Sequence, residues 1–259
     1  MAKARWVRLP QAAEYVYEGA ALKKHWARLH RGDCEPFPRE EALQQAWRLY
    51  HAGAFQQAAQ AGRSLGGAGG HVAVKATTIY ATYLETAQPS KLKLFEEAMR
   101  LAEQTLAQRP DDANAHYFYA LAAGRYSQGI SVAKALAQGL GGRIKQALDR
   151  ALELEPAHAD ANIALGAWHA EIIAKVGALV GGLTYGASRE AAVEHFQQAL
   201  KLNPDSAVAR IEYANGLALL FGKAQLARAE ALYAEAARQK PMDAMERLDV
   251  ELAQAELED

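Results

Sequence analysis

A short helix-ending string that keeps coming back constrains this chain more than any other feature. It reads TLAQRP at 105–110, ALELEP at 151–156, ALKLNP at 199–204 and AARQKP at 236–241. Each is a run of helix formers closed by a proline, which lacks a backbone donor and cannot continue the helix. A new apolar-periodic stretch opens within a few residues of each. After two of them the openings match, HADANIALGAWHAE at 158–171 and DSAVARIEYANGLA at 205–218. Punctuation of this kind predicts an all-α stack of helical hairpins, each burying its apolar face on the next. Composition agrees: the chain is 51% hydrophobic and rich in Ala, and the alternating Val, Ile and Thr runs that mark strands are nearly absent.

Counting back from Pro204 puts Ala192, Phe196 and Ala199 at small, aromatic and small positions of a second helix. Counting on from Pro156 puts the pair Leu165 and Gly166 in a first helix. Gly53, Phe55 and Ala58 fit the turn and second-helix start of an earlier unit. These residues resemble the tetratricopeptide (TPR) family, whose ~34-residue unit is a helical hairpin with small residues at the crossing and a proline at its end. The resemblance covers most of 40–241 and is strongest over 151–218.

Spacing departs from that family. Pro110 to Pro156 is 46 residues and Pro156 to Pro204 is 48, so each unit carries ~12 to 14 residues beyond the period. Both extras fall inside the hairpin, at 127–142 and 174–188. Ile130, Ala133, Leu136, Ala137 and Leu140 are spaced to line one helical face, as are Ile172, Val176, Leu179 and Val180. The pattern predicts two helices lengthened past the stack and stopped by Gly141 and Gly142, then by Gly181 and Gly182. Insertion-bearing hairpins of this kind resemble the regulator of microtubule dynamics group and the T component associated with TRAP transporters. The second likeness implies an apolar cavity; no lipobox cysteine stands at the start of this chain, so only the architecture is carried over.

Outside the repeats, the pattern predicts an N-terminal helix over 11–30 with a proline-containing linker, giving a first segment of 1–38. Repeats follow over 39–241, and a capping helix over 242–259. Asp243 and Glu246 form a D-x-x-E capping box, and Met245, Leu248, Leu252 and Ala255 a predicted apolar stripe. The two ends carry opposite charge, seven Lys and Arg against two Glu over 1–31 and seven acids against one Arg over 242–259. That asymmetry suggests a homo-oligomer joined through oppositely charged ends.

The net charge of −1 gives no electrostatic footprint for nucleic acid. No apolar run reaches the ~20 residues needed to span a bilayer, and 1–10 lacks the apolar core of a secretory signal. With a single cysteine, Cys34, no disulfide is possible within the chain. The reading is cytoplasmic, or periplasmic if a leader has been removed. His158 and His169 lie about 16 Å apart along a helix, too far for one metal ion, and His116 and His195 add no ligand spacing. The glycine stretches at 64–70 and 138–143 lack the Gly-Lys-Ser/Thr of a phosphate loop and read as turns. Acids flank Cys34 on both sides, which raises a thiol pKa. No metal, cofactor or catalytic constellation is expected.

What remains is binding. The TPR resemblance implies that the first helix of each hairpin lines a concave groove, with Asn114, Tyr117, Leu121 and Arg125 in one unit. Ile163, Ala167, Ala170 and Glu171 follow in the next, then Ile211, Asn215 and Ala218. Ala164 and Glu212 stand where some relatives place a carboxylate-clamping Asn, which disfavours a C-terminal-tail adaptor. The expectation is a non-catalytic scaffold that takes a peptide or helix of a protein partner. The alternative is a carrier whose inserts close a cavity around an apolar small molecule, through Leu136, Leu140, Leu179, Val180, Leu183 and Tyr185.

Overall fold

The computed structural model describes residues 6, 7, 9 and 14–258. Among them every regular element is helical, and the order is a succession of hairpins. The helices are α1 (Ala21–Leu29), α2 (Glu41–His51), α3 (Phe55–Ser64), α4 (Gly70–Tyr83), α5 (Gln88–Gln108), α6 (Ala113–Gln128) and α7 (Val132–Ala137). They continue as α8 (Leu140–Leu154), α9 (Ala159–Val176), α10 (Ala178–Val180), α11 (Arg189–Leu202), α12 (Ala207–Phe221), α13 (Leu226–Ala236) and α14 (Ala244–Glu258). Pairs α2/α3, α4/α5, α6/α8, α9/α11 and α12/α13 are the hairpins, with α14 packed on α12 and α13 as the closing helix. This is the TPR-type helical solenoid the proline string predicts.

The recurrent proline also places the next helix. Two residues after Pro110, Pro156, Pro204 and Pro241 stand Asp112, His158, Ser206 and Asp243, and each side chain accepts a hydrogen bond from a backbone N–H of the following first turn. The donors are Ala115, Ala161, Ala209 and Glu246, at 2.8–3.1 Å. Stop and start signals therefore sit within three residues, proline to N-cap, at every one of these boundaries. In α14 the Glu246 carboxylate returns a bond to the Met242 N–H at 2.7 Å, completing the box expected there.

Inside the stack the small residues do what the spacing predicts. Ala192 and Ala199 are fully buried, and the Phe196 ring lies between Gly166 and Gly216. A methyl on Gly216 would stand 2.5 Å from the ring, and one on Gly166 3.0 Å. Neighbouring hairpins thus approach at van der Waals distance through an aromatic wedge. The first helices α4, α6, α9 and α12 are apolar nearly all round because other helices cover them on most sides, whereas α8 keeps a polar outer face.

Three expectations are corrected. The N-terminal helix begins at Ala21, not Gln11: 15–18 carry no helix, and 11–13 lie outside the described residues. This stretch is instead tied down from two sides, with the Arg48 Nε donating to the Tyr17 carbonyl at 3.0 Å and the Tyr17 hydroxyl to the Met242 carbonyl. The inserts do not lengthen their helices past the stack. α6 ends at Gln128 and α7 is a separate two-turn helix. α9 runs to Val176 and breaks at Gly177, whose φ of 84° and ψ of 155° no other residue adopts cheaply. Gly129 ends α6, Gly177 ends α9, and the left-handed Gly139 and Gly186 close the two inserts, while Gly141 and Gly142 lie in the first turn of α8 and Gly181 and Gly182 in a π-helical turn, Gly181–Tyr185. In α14 the buried face shifts away from the predicted stripe along its length: Leu248 is buried, but Leu252 and Ala255 are exposed, and Val250 and Ala253 replace them.

The two ends of the chain meet. Arg28 pairs with Glu246 at 2.6 Å, Arg31 with Asp205 at 2.8 Å and Arg247 with Glu14 at 2.8 Å. His51 of α2 bonds Asp243 at 2.8 Å, and the Tyr50 hydroxyl lies 2.9 Å from the Met245 sulfur. Two of these pairs, Arg28–Glu246 and Arg247–Glu14, join the oppositely charged terminal segments within one chain.

Candidate functional site

The concave side is partly filled by the chain itself. The turn after α1, residues 30–35, drops onto the N-terminal ends of α4, α6 and α9. Glu35 accepts from His71 Nδ1 at 2.8 Å and Asn114 Nδ2 at 2.7 Å, and Asp33 accepts from Lys75 Nζ at 2.5 Å and His30 Nδ1 at 2.8 Å. The Gly32 carbonyl accepts from the Asp160 N–H at 2.9 Å. Acids seated at the positive ends of helices gain from the aligned peptide dipoles as well as from these bonds. Cys34 in this turn adopts φ of 51° and donates to the Ala157 carbonyl. Burial, with Glu155, Asp33 and Asp160 around it, pushes its thiol up to about 12, which keeps it protonated at neutral pH.

Burial governs the titration of this region. It pushes His51 and His158 down to about 4, leaving both neutral. His71 goes the other way: burial lowers it, but Glu35 and Asp112, 2.8 and 3.0 Å from its two ring nitrogens, raise it to about 9. Asp33 resists the upward push of burial because His30 and Lys75 hold it well below the usual carboxylate range.

Below this plug, between α4, α6, α9 and α14, lies a cavity of about 160 Å3. Its floor is polar, with Lys75, Thr78, Asp160 and Asp249. Toward the inserts it is lined by Leu121, Leu136, Leu140, Ile172 and Tyr185 together with the mutually paired Gln128, Glu171 and Lys175, so the α7 insert forms one lip and the π-helical turn the other. Arg125 of α6 reaches across to Glu212 of α12 at 2.6 Å, and Glu171 accepts from Gln128 at 2.6 Å and Lys175 at 2.5 Å. The pairing raises Arg125 above its ordinary range and ties three hairpins together along one wall.

Of the groove residues expected from sequence, Tyr117, Leu121, Arg125, Ile163, Ala167 and Glu171 line this cavity. Asn114 does not; it is buried one turn higher, holding Glu35 and His158. Ile211 packs against Ala236, Val250 and Ala253, and Asn215 is on the surface accepting from the Tyr233 hydroxyl at 2.6 Å. Ala170 is buried and Ala218 exposed, both away from the lining. Leu136, Leu140 and Tyr185 of the inserts join the cavity wall, whereas Leu179, Val180 and Leu183 stand outside it, Leu179 and Leu183 at 76% and 82% exposure.

Residues 71–220 match the model of the family described as regulator of microtubule dynamics protein 1-3. The chain belongs to that family. The matched region runs from α4 to α12 and so contains both inserts and three walls of the cavity. This family member also superimposes on the crystal structure of a thermophilic TPR protein of Thermus thermophilus, with a TM-score of 0.56 at 19% identity, covering 83% of this chain and 97% of that one. No curated protein sequence matches it. At that identity the superposition speaks for the solenoid alone.

Sequence reasoning missed Lys75, Thr78, Thr82 and Tyr83 of α4, and Asp249 of α14. A signal was present: Lys75 is the one Lys, Arg, Asp or Glu in HVAVKATTIYATY, and a permanent charge in so apolar a helix has to find a buried partner. Its 5% exposure and bond to Asp33 are that outcome. Among the described residues no group of three His, Cys, Asp or Glu is placed to hold a metal, and no helix is long and apolar enough to cross a membrane.

Proposed function

We propose that this family member is a non-catalytic binding scaffold that receives a segment of a protein partner, a peptide or one side of a helix, in the concave cavity. The observation that carries the reading is convergence. Six residues expected from the TPR groove positions and three from the inserts line one and the same cavity, although they come from separate parts of the sequence. The polar floor and the apolar residues toward the inserts suit an anchor side chain inserted from the open side, with Leu121, Leu136, Leu140 and Tyr185 removing its stem from water. Arg125, Glu212 and Glu171 are already paired and act as a rigid wall. A second reading, an apolar small molecule held in the same cavity, draws on those apolar residues alone and uses Leu136, Leu140 and Tyr185 in the same way.

A photo-crosslinking amino acid at Leu121 or Tyr185, with Glu153 on the outer face of α8 as the control, tests the proposal. The expected result is one and the same crosslinked protein from both cavity positions and none from the control, lost when Ala167→Trp fills the groove. Equal capture at the outer face, or capture that survives Ala167→Trp in a folded variant, would overturn it.

A further inference from the structure

Not every acid that lines the cavity has an ion-pair partner. Arg125 is neutralised by Glu212 and Lys175 by Glu171, and Lys75, the remaining cation, is engaged by Asp33 at 2.5 Å. Asp160 and Asp249 are left facing the cavity with no cation within ion-pair distance among the described residues. Asp249 accepts a hydrogen bond from the Tyr83 hydroxyl. The Asp160 carboxylate meets no donor side chain among the described residues, although its backbone N–H is satisfied by the Gly32 carbonyl.

A second observation on the opposite wall points the same way. Thr78 lies one turn along α4 from Lys75 and lines the cavity, yet its hydroxyl is fully buried and has no hydrogen-bond partner among the described residues. A buried hydroxyl without a partner costs free energy unless something in the cavity takes the bond. The site therefore offers, at its floor, a free hydroxyl and two carboxyl groups without an ion-pair partner, both pushed upward by burial and so ionised most readily against a bound cation, and an apolar sleeve toward the inserts.

Resting on the reading of the cavity as a binding site, we propose that its ligand group is a primary amine or guanidinium on an aliphatic stem. Asp160 and Asp249 take the positive charge and Thr78 accepts a hydrogen bond, while Leu136, Leu140 and Tyr185 enclose the stem. A charge-assisted bond to a buried carboxylate is worth about twice a neutral one, and long cationic side chains bury their methylenes while keeping the head on a polar group. An anionic or neutral head finds no free cation here. The chemistry is shared by two sources, a Lys or Arg of a protein partner and a free alkylamine.

Calorimetric titration of the full chain with octylamine, octanol and octanoate separates these cases. A pair of apolar dodecapeptides, one carrying a single Lys and the other norleucine in its place, forms the protein arm. The amine or the Lys peptide should bind about tenfold or more tighter than its uncharged counterpart. Asp160→Asn should remove most of that advantage while leaving octanol unaffected, and circular dichroism checks that the variant is folded. The advantage should also grow from pH 6 to pH 8 as Asp160 ionises, with Lys75, Asp33, Tyr83, Tyr117, Arg125, Glu171, Lys175, Tyr185, Glu212, Glu246 and Asp249 as the other charged or titratable groups around the cavity. A Lys-peptide preference without octylamine binding identifies the protein source, and the reverse the small-molecule source. Octanol or the norleucine peptide binding as tightly as the cations would leave the groove reading standing and overturn this one. So would an advantage that is flat with pH or untouched by Asp160→Asn.

Discussion

Asp160 illustrates how one side chain couples stability to function. Burial pushes its carboxyl up to about 7, with Lys75 opposing and Asp33 and Glu246 adding to the rise, whereas in the unfolded chain it ionises near its usual value of about 4. The folded form therefore binds the extra proton between about pH 4 and 7. Stability falls as pH rises through that window, and the penalty stays constant above it. Replacing the group with Asn removes the titration. Asp160→Asn should match the native chain near pH 4 and exceed it by on the order of 2 kcal/mol at pH 8, a figure reduced for water in the cavity. Urea unfolding at the two pH values measures this, and a native chain that stays the more stable at pH 8 would contradict it. Some single residues were readable from sequence, the Ala192, Phe196 and Ala199 crossing among them; for Cys34 only the direction was, since burial rather than its flanking acids is the main cause of the raised thiol. Thr78 and Asp249 were not, because what distinguishes them is the partner they lack or the cavity they face, and neither is a property of neighbouring sequence.

Hairpins were the most legible elements because proline and N-cap lie two residues apart and act on backbone geometry that is local. The inserts were less so. Their apolar residues keep helical spacing through 130–140 and 172–180, yet the helices break: α9 at Gly177, whose positive φ ends a helix whatever the apolar pattern beyond it, and α6 at Gly129, with Ser131 capping a new helix just after it. Periodicity cannot tell which of several glycines takes that role. Gly129, Gly139 and Gly177 end or begin helices, while Gly141 and Gly181 are helical. The break after α9 is the one that folds the second insert back, so that Tyr185 joins the cavity and contacts the Trp168 ring at 6.4 Å. Gly177→Ala should cost about 1–3 kcal/mol, the strain of that backbone region for a residue with a Cβ. Thermal denaturation tests this, and an unchanged midpoint would mean that α9 runs on in solution as a longer helix.

At the scale of the whole molecule the solenoid closes its groove with its own ends. The turn after α1 caps the N-terminal ends of the first helices, α14 covers one flank, and Arg28, Glu246, His51 and Asp243 fasten the two together. The charge asymmetry of the termini was plain in the sequence, but its use within the chain was not, because it depends on the curvature of the stack. Glu246→Arg should lower stability by about 2–4 kcal/mol, since it sets two cations against each other in a half-buried pair and removes a cap. Combining it with Arg28→Glu should recover part of the loss. What the closed stack leaves open is the cavity between α4, α6 and α9, the proposed binding site. Methyl-resolved NMR of the full chain, titrated with octylamine or the single-Lys peptide, addresses it most directly. Shifts should concentrate on Thr78, Leu121, Leu136, Leu140, Ile163 and Ala167 and leave Ala147 and Leu152 of the outer helix α8 in place. Shifts confined to the exposed Leu179 and Leu183, or spread over the outer face, would contradict it.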